Sequence, residues 1–261
     1  MSKLSIILAL TLGLIAIVHA QDAPEGWILQ WSDEFDGPDV DQSKWSFEIG
    51  NNNGWGNNEL EYYTGDPSNV YIQDGKLYIQ ANKEDKEGYQ YTSTRMKTQG
   101  KFNTVYGWFE ASIKIPVGQG MWPAFWLLGE NIAQVGWPAC GEIDIMEAVG
   151  YDPNNVHGST HGSGFDTTNA YFSDKWFSDD FHKYRAIWQP DSVEFYVDDQ
   201  VYARITPDNT NGQPFVFNNN PMFILLNLAV GGNWPGAPDA STQFPQQMIV
   251  DYVRVYQKTS W

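Results

Sequence analysis

A single cysteine, Cys140, stands in a chain of 261 residues. No disulfide can form within it, so its stability must come from a packed core or a bound metal. Asn-x-Ser/Thr acceptors are absent, which suits a bacterial envelope or medium better than a glycosylating pathway. Positive charge is scarce: 15 Lys and Arg face 32 Asp and Glu, for a formal net charge of -17. Such a surface repels nucleic acid and anionic lipid, and it argues against a sulfated polymer as ligand. Beyond residue 20 no apolar run is long enough to span a membrane.

The one long apolar run, Leu4 to Val18, follows Lys3 and ends just before the small residue Ala20. Residues 1–20 therefore read as a secretory signal peptide cleaved near Ala20 rather than as an anchor. Losing Lys3, its only charged residue, takes the mature chain to -18. A secreted or periplasmic monomer, free of the membrane once the signal is removed, is the expectation.

Residues 21–261 show no linker, charge block or repeat and read as one domain. The segments 76–82, 107–116, 183–190, 192–205 and 248–257 alternate or are rich in β-branched and aromatic residues, and turn signals separate them. MFILLNLAVGG, residues 222–232, is nearly all apolar and predicts a strand buried on both faces. Helix is expected only in short stretches, such as DDFHKY at 179–184. Many short strands in a chain of this length predict an all-β fold, a two-sheet antiparallel sandwich or jelly roll.

Aromatic residues make up 15% of the chain, with 12 Trp among them. Trp55, Trp122, Trp137 and Trp234 stand among Gly, Pro and Asn. Each alone reads as core packing. Together they suggest open platforms on which sugar rings stack their C–H faces, which points to a carbohydrate polymer.

In GEIDIMEAVG, residues 141–150, Glu142, Asp144 and Glu147 stand among apolar neighbours. Strict alternation puts Glu142 and Asp144 on one face and Glu147 on the other. A β-bulge at Ile145-Met146 would restore the phase and turn all three acids into one cleft. The outer Cα atoms would then lie roughly 13 Å apart at ~3.3 Å per residue. Two inward-leaning Glu side chains can bring their carboxyls near the ~5 to 5.5 Å that retaining glycoside hydrolysis uses. Asp144 between them would separate their titrations. A calcium site and an acid cluster held by Arg partners are the competing readings, although calcium cages more often draw on loops.

The ordered motifs WSDEFDG, WGNNELEYYT, TSTRMKTQGKF, YGWFEASIKIP, GMWPAFWLLG, WPACGEIDIMEAVG, NLAVGGNWPG and DYVRVYQ resemble glycoside hydrolase family 16, specifically its laminarinase-like endo-β-1,3-glucanases. The resemblance implies a jelly-roll sandwich with a cleft on its concave sheet. It implies Glu142 as nucleophile, Glu147 as general acid/base and Asp144 as the assisting carboxylate. The bulged motif is typical of laminarinase-like members, whereas bacterial lichenases usually carry the shorter form. Asn58, Arg95, Trp122, Trp126, His161 and Trp234 are implied to line the substrate site. A structural calcium is implied at Glu34, the Gly75 carbonyl and Asp251, with no cofactor for catalysis. The expected substrate is a β-1,3-glucan, with mixed-linkage glucan as a further one. The rivals are a non-catalytic glucan-recognition protein, which intact Glu142 and Glu147 disfavour, a galactan or carrageenan hydrolase, and a transglycosylase.

Overall fold

The computed structural model describes residues 23–260; the signal-peptide reading lies outside them. Numbered in chain order, the strands are β1 (Trp27–Asp33), β2 (Ser46–Glu48), β3 (Glu61–Tyr63), β4 (Val70–Gln73), β5 (Lys76–Ala81), β6 (Tyr91–Ser93), β7 (Arg95–Lys97), β8 (Gly107–Lys114) and β9 (Met121–Gly129). They continue as β10 (Glu142–Glu147), β11 (Asn155–Gly162), β12 (Phe165–Phe172), β13 (His182–Gln189), β14 (Ser192–Val197), β15 (Gln200–Ile205), β16 (Met222–Val230) and β17 (Gln246–Lys258).

Two antiparallel sheets form a sandwich. One has the order β15-β14-β13-β8-β17-β5-β4, with β1 also on β17; the other runs β12-β11-β10-β9-β16-β7-β2. A small parallel pair, β3 and β6, lies apart from both.

Alternation along the central strands of the second sheet decides which side chains face the core. Phe125, Leu127, Ile143, Ile224, Leu226 and Leu228 point between the sheets, while Ala124, Trp126, Leu128, Phe223 and Leu225 gather on its other face. All nine residues of β16 are buried, as its apolar run predicts.

The helix expected over 179–184 is absent. His182 already pairs with Ile113 in β13, and Asp180 and Asp198 carboxylates take the backbone N–H groups of Phe181 and Lys183 at 2.8 and 2.9 Å. Sheet pairing and Asp-to-backbone bonds outweigh a weak local helix propensity there. The helical turns fall instead at Ile132–Val135 and Pro207–Asn209.

Candidate active site

On β10 the register answers the phase problem. Asp144 pairs with Trp126 of β9, but the next pair is Met146 with Phe125, so Ile145 is the extra residue. Against β11, Asp144 faces Ser159 and Glu147 faces His157, leaving Gly158 alone opposite Ile145 and Met146. Both of those side chains drop into the core between the sheets. Glu147 thereby returns to the face of Glu142 and Asp144.

That face floors a cleft of about 820 Å³, lined by all three acids and by β2, β7, β9, β11, β12 and β16. Strand register arranges its residues in rows across the sheet. The middle row runs Lys97, Leu225, Trp126, Asp144, Ser159 and Thr168. One flanking row holds Glu48, Arg95, Asn227, Ala124, Glu147 and His157; the other holds Phe223, Leu128, Glu142 and His161. A polymer lying along the middle row passes between Glu142 and Glu147.

Each outer acid receives one indole N–H. Trp137 donates to Oε2 of Glu142 at 2.7 Å, and Trp122 donates to Oε1 of Glu147 at 3.0 Å. Burial, then the charge of Glu142, pushes the Glu147 carboxyl up to about 7, against the Trp122 bond and the His161 charge. Asp144 is pushed well up by burial, then by Glu142 and Glu147, with His161 opposing. The His161 ring lies between two carboxylates, Nε2 at 3.0 Å from Asp144 and Nδ1 at 2.8 Å from Asp166. Burial disfavours its charged form, but the bond and charge of Asp144, with Glu142 and Asp166, outweigh that and push it up to about 10. The two carboxylates therefore hold His161 toward its cationic form.

Glu142, Asp144 and His161 are also the one grouping among the described residues whose side-chain ligand atoms gather closely enough, within 4.8 Å, to suit a metal ion. The Trp137 bond and the Asp144–His161 ion pair already engage them.

Arg95, Trp122, Trp126, His161 and Trp234 all line the cleft, as expected. The Arg95 guanidinium stacks between Trp55 and Trp126, 4.6 and 4.8 Å from their ring centroids, and pairs with Glu48. Trp234 meets Trp122 and His157 edge to face at 5.6 and 4.9 Å. Asn58 is not on the wall: it is exposed, and its amide donates to Oδ1 of Asn233 at 2.8 Å, tying two rim loops together. Its neighbour Asn57 takes the place on the wall.

Trp55 and Trp137, read from the sequence only as sugar-stacking platforms, also line the cleft, as do Glu48 and His157, which were not expected there. The two Trp carried a signal in their Gly/Pro/Asn-rich settings, whereas nothing in the sequence around Glu48 marks it.

Strand register brings the segments that carry Glu34, Gly75 and Asp251 alongside one another. There β17 passes from pairing with β5, at Val250 and Leu77, to pairing with β1, at Val253 and Asp33. Asp251 falls between the two. Gly75 sits in a two-residue hairpin turn with Asp74, both at positive φ (68 and 51°), which favours glycine there. Glu34 accepts two bonds from Arg254 at 2.9 and 2.6 Å, and Asp251 pairs with Lys76 at 3.1 Å.

Residues 57–254 match the family model for glycosyl hydrolases family 16. The laminarinase catalytic domain from Thermotoga maritima MSB8 is 48% identical, with a TM-score of 0.86 over 90% of this chain and 100% of that one. The β-glucanase of Rhodothermus marinus is 37% identical over 98% of this chain and 94% of its own. Glucan endo-1,3-β-glucosidase A1 of Niallia circulans is 39% identical over 89% of this chain. The chain spans only 38% of that protein's length, and about a third of another curated relative's.

Proposed function

Because the chain belongs to glycosyl hydrolases family 16, we propose that it is an endo-acting, retaining glycoside hydrolase that cleaves β-1,3-glucan of the laminarin type. The observation that carries this reading is the pair Glu142 and Glu147 flanking Asp144 across the path of a polymer, with Glu147 held up to about 7.

In the first step the Glu142 carboxylate attacks the anomeric carbon while protonated Glu147 gives its proton to the departing glycosidic oxygen. Glu147, now a carboxylate, then takes a proton from water, which attacks the anomeric carbon and releases Glu142. Asp144 and the His161 cation balance charge between the two. Trp122 and Trp234 supply stacking faces, and Arg95 supplies donors for sugar hydroxyls. A monomeric enzyme, exported by the signal read from residues 1–20, belongs to the same proposal.

Reducing-sugar release from laminarin, compared with lichenan and agarose, tests the reading. Glu142→Ala should abolish release while laminarin binding persists, and the first product should keep the β configuration. A wild-type protein that binds laminarin without cleaving it would instead be a recognition protein.

The same reading includes a structural calcium. Two carboxylates and a backbone carbonyl are hard oxygen donors of the kind calcium takes, and Glu34, Asp251 and Gly75 would hold it between the domain's two ends. Arg254 and Lys76 compete for the same carboxylates. Added calcium should raise the melting temperature and a chelator lower it; no change with either would remove calcium from the account.

A further inference from the structure

Beneath the Arg95 end of the cleft lie two acids that the hydrolytic scheme leaves unused. Glu59, Glu61 and Tyr63 alternate along one stretch of chain; Glu61 and Tyr63 have no exposed surface and Glu59 is 6% exposed. Buried carboxyls are costly unless each oxygen finds a partner.

The partners form a chain whose direction is fixed. An indole only donates, so the Trp126 Nε1–H bond of 2.8 Å must end on Oδ1 of Asn227. The Asn227 amide nitrogen therefore faces the Tyr63 hydroxyl, at 3.2 Å. That hydroxyl, already accepting, sends its own hydrogen to Oε2 of Glu59 at 3.0 Å. Glu59 is thus the acceptor at the end of a line that begins at the cleft floor.

Glu61 is arranged differently. Its Oε2 takes the backbone N–H of Val230 at 2.6 Å, at the end of β16 just before the loop that carries Trp234. Its Oε1 is buried and finds no donor. The charge of the Glu59 carboxyl acts on it directly, and since two ionised carboxylates cannot bond to one another, a proton on this oxygen is what would let Glu59 serve as its partner. One proton on Oε1 of Glu61, donated to Glu59, satisfies both acids.

We propose that Glu59 and Glu61 are positioning residues of the cleft, a carboxyl pair sharing one proton. Its hydrogen bonds orient Trp126 and Asn227 through Tyr63, and anchor the Trp234 loop through Val230. Burial first pushes both carboxyls up, Glu61 further because Glu59 adds its charge, while Arg95 and Tyr63 favour ionised Glu59. Asn57, Tyr63 and Arg95 are the charged and polar side chains that act on the pair, and Asn227 reaches it through Tyr63. The functional half of this proposal rests on the glucan-cleaving reading; the shared proton does not.

The test compares wild type, Tyr63→Phe, Glu61→Val and Glu61→Gln. Laminari-oligosaccharide affinity is read by tryptophan fluorescence in a Glu142→Ala background, so that it is independent of turnover. Tyr63→Phe and Glu61→Val should weaken binding roughly tenfold. Glu61→Gln, whose amide can donate to Glu59 and accept from Val230, should restore it. The infrared difference spectrum between wild type and Glu61→Gln at neutral pH should show the loss of one protonated-carboxyl band, whatever Glu147 and Asp144 contribute to both. Lowered melting temperatures with unchanged affinity would overturn the positioning role, and a spectrum unaltered by Glu61→Gln would overturn the shared proton. Failure of all variants and wild type to bind glucan would instead sink the substrate reading, with the infrared result still deciding the pair.

Discussion

The indole N–H of Trp137 lies 2.7 Å from Oε2 of Glu142 and donates to it, although Trp137 itself is 58% exposed. A rim side chain therefore orients the acid proposed as nucleophile. Trp137→Phe keeps the ring and removes the donor. We expect kcat to fall about tenfold with the fold unchanged. Steady-state kinetics with a melting curve checks this; an unchanged kcat would make the bond incidental.

Activity should depend on pH through Glu147. As the proposed general acid it must hold its proton, so turnover should decline as pH rises through about 7. The His161 charge lowers Glu147, so His161→Gln should move that alkaline limb to higher pH while reducing kcat/KM tenfold or more. The pH profiles of the two proteins decide it; superimposable limbs would remove His161 from the electrostatics of the site.

Stability should follow the same group. Glu147 stands above its ordinary value of 4.5 in the folded state, so its contribution is fully present below about 4.5 and is lost as pH rises through about 7. Glu147→Gln cannot ionise. Its stability relative to wild type should rise between those limits and then level off, as measured by urea unfolding at several pH values.

Arg95 sits between two Trp rings and against Glu48, an arrangement that a planar guanidinium fits and an ammonium does not. Arg95→Lys should raise KM for laminari-oligosaccharides about tenfold with little change in kcat. A fall in kcat alone would contradict a binding role.

Gly158 is the lone residue opposite the bulge. A Cβ there would meet the Tyr202 hydroxyl at 2.5 Å and Cγ of Phe195 at 2.7 Å, both held in the packed space between the sheets. Gly158→Ala should cost about 1–3 kcal/mol of stability and disturb the register that aims Glu147. Denaturant unfolding and residual activity together report the two effects.

Much of this was legible in the chain. Period-two patterning marked 76–82, 107–116, 183–190, 192–205 and 248–257 as strand, and the all-apolar run from Met222 to Val230 marked a strand buried on both faces. The out-of-phase Glu147 announced the bulge, because only an inserted residue reconciles three acids with one cleft. The helix expected over 179–184 failed because pairing of His182 with Ile113 is a long-range choice that local propensity cannot foresee.

The rest belongs to tertiary structure. Which acid holds a proton depends on burial and on neighbours brought from distant segments: Trp122 beside Glu147, Trp137 beside Glu142, His161 beside Asp144. The misplacement of Asn58 by one residue has the same origin, since its positive-φ turn and its bond to Asn233, 175 positions away, decide whether Asn57 or Asn58 faces the cleft. Sequence determined which residue types alternate and where the alternation breaks. Only the packed sheet decided which carboxyls meet, because proton affinity is set by the field and the solvent access of the folded site.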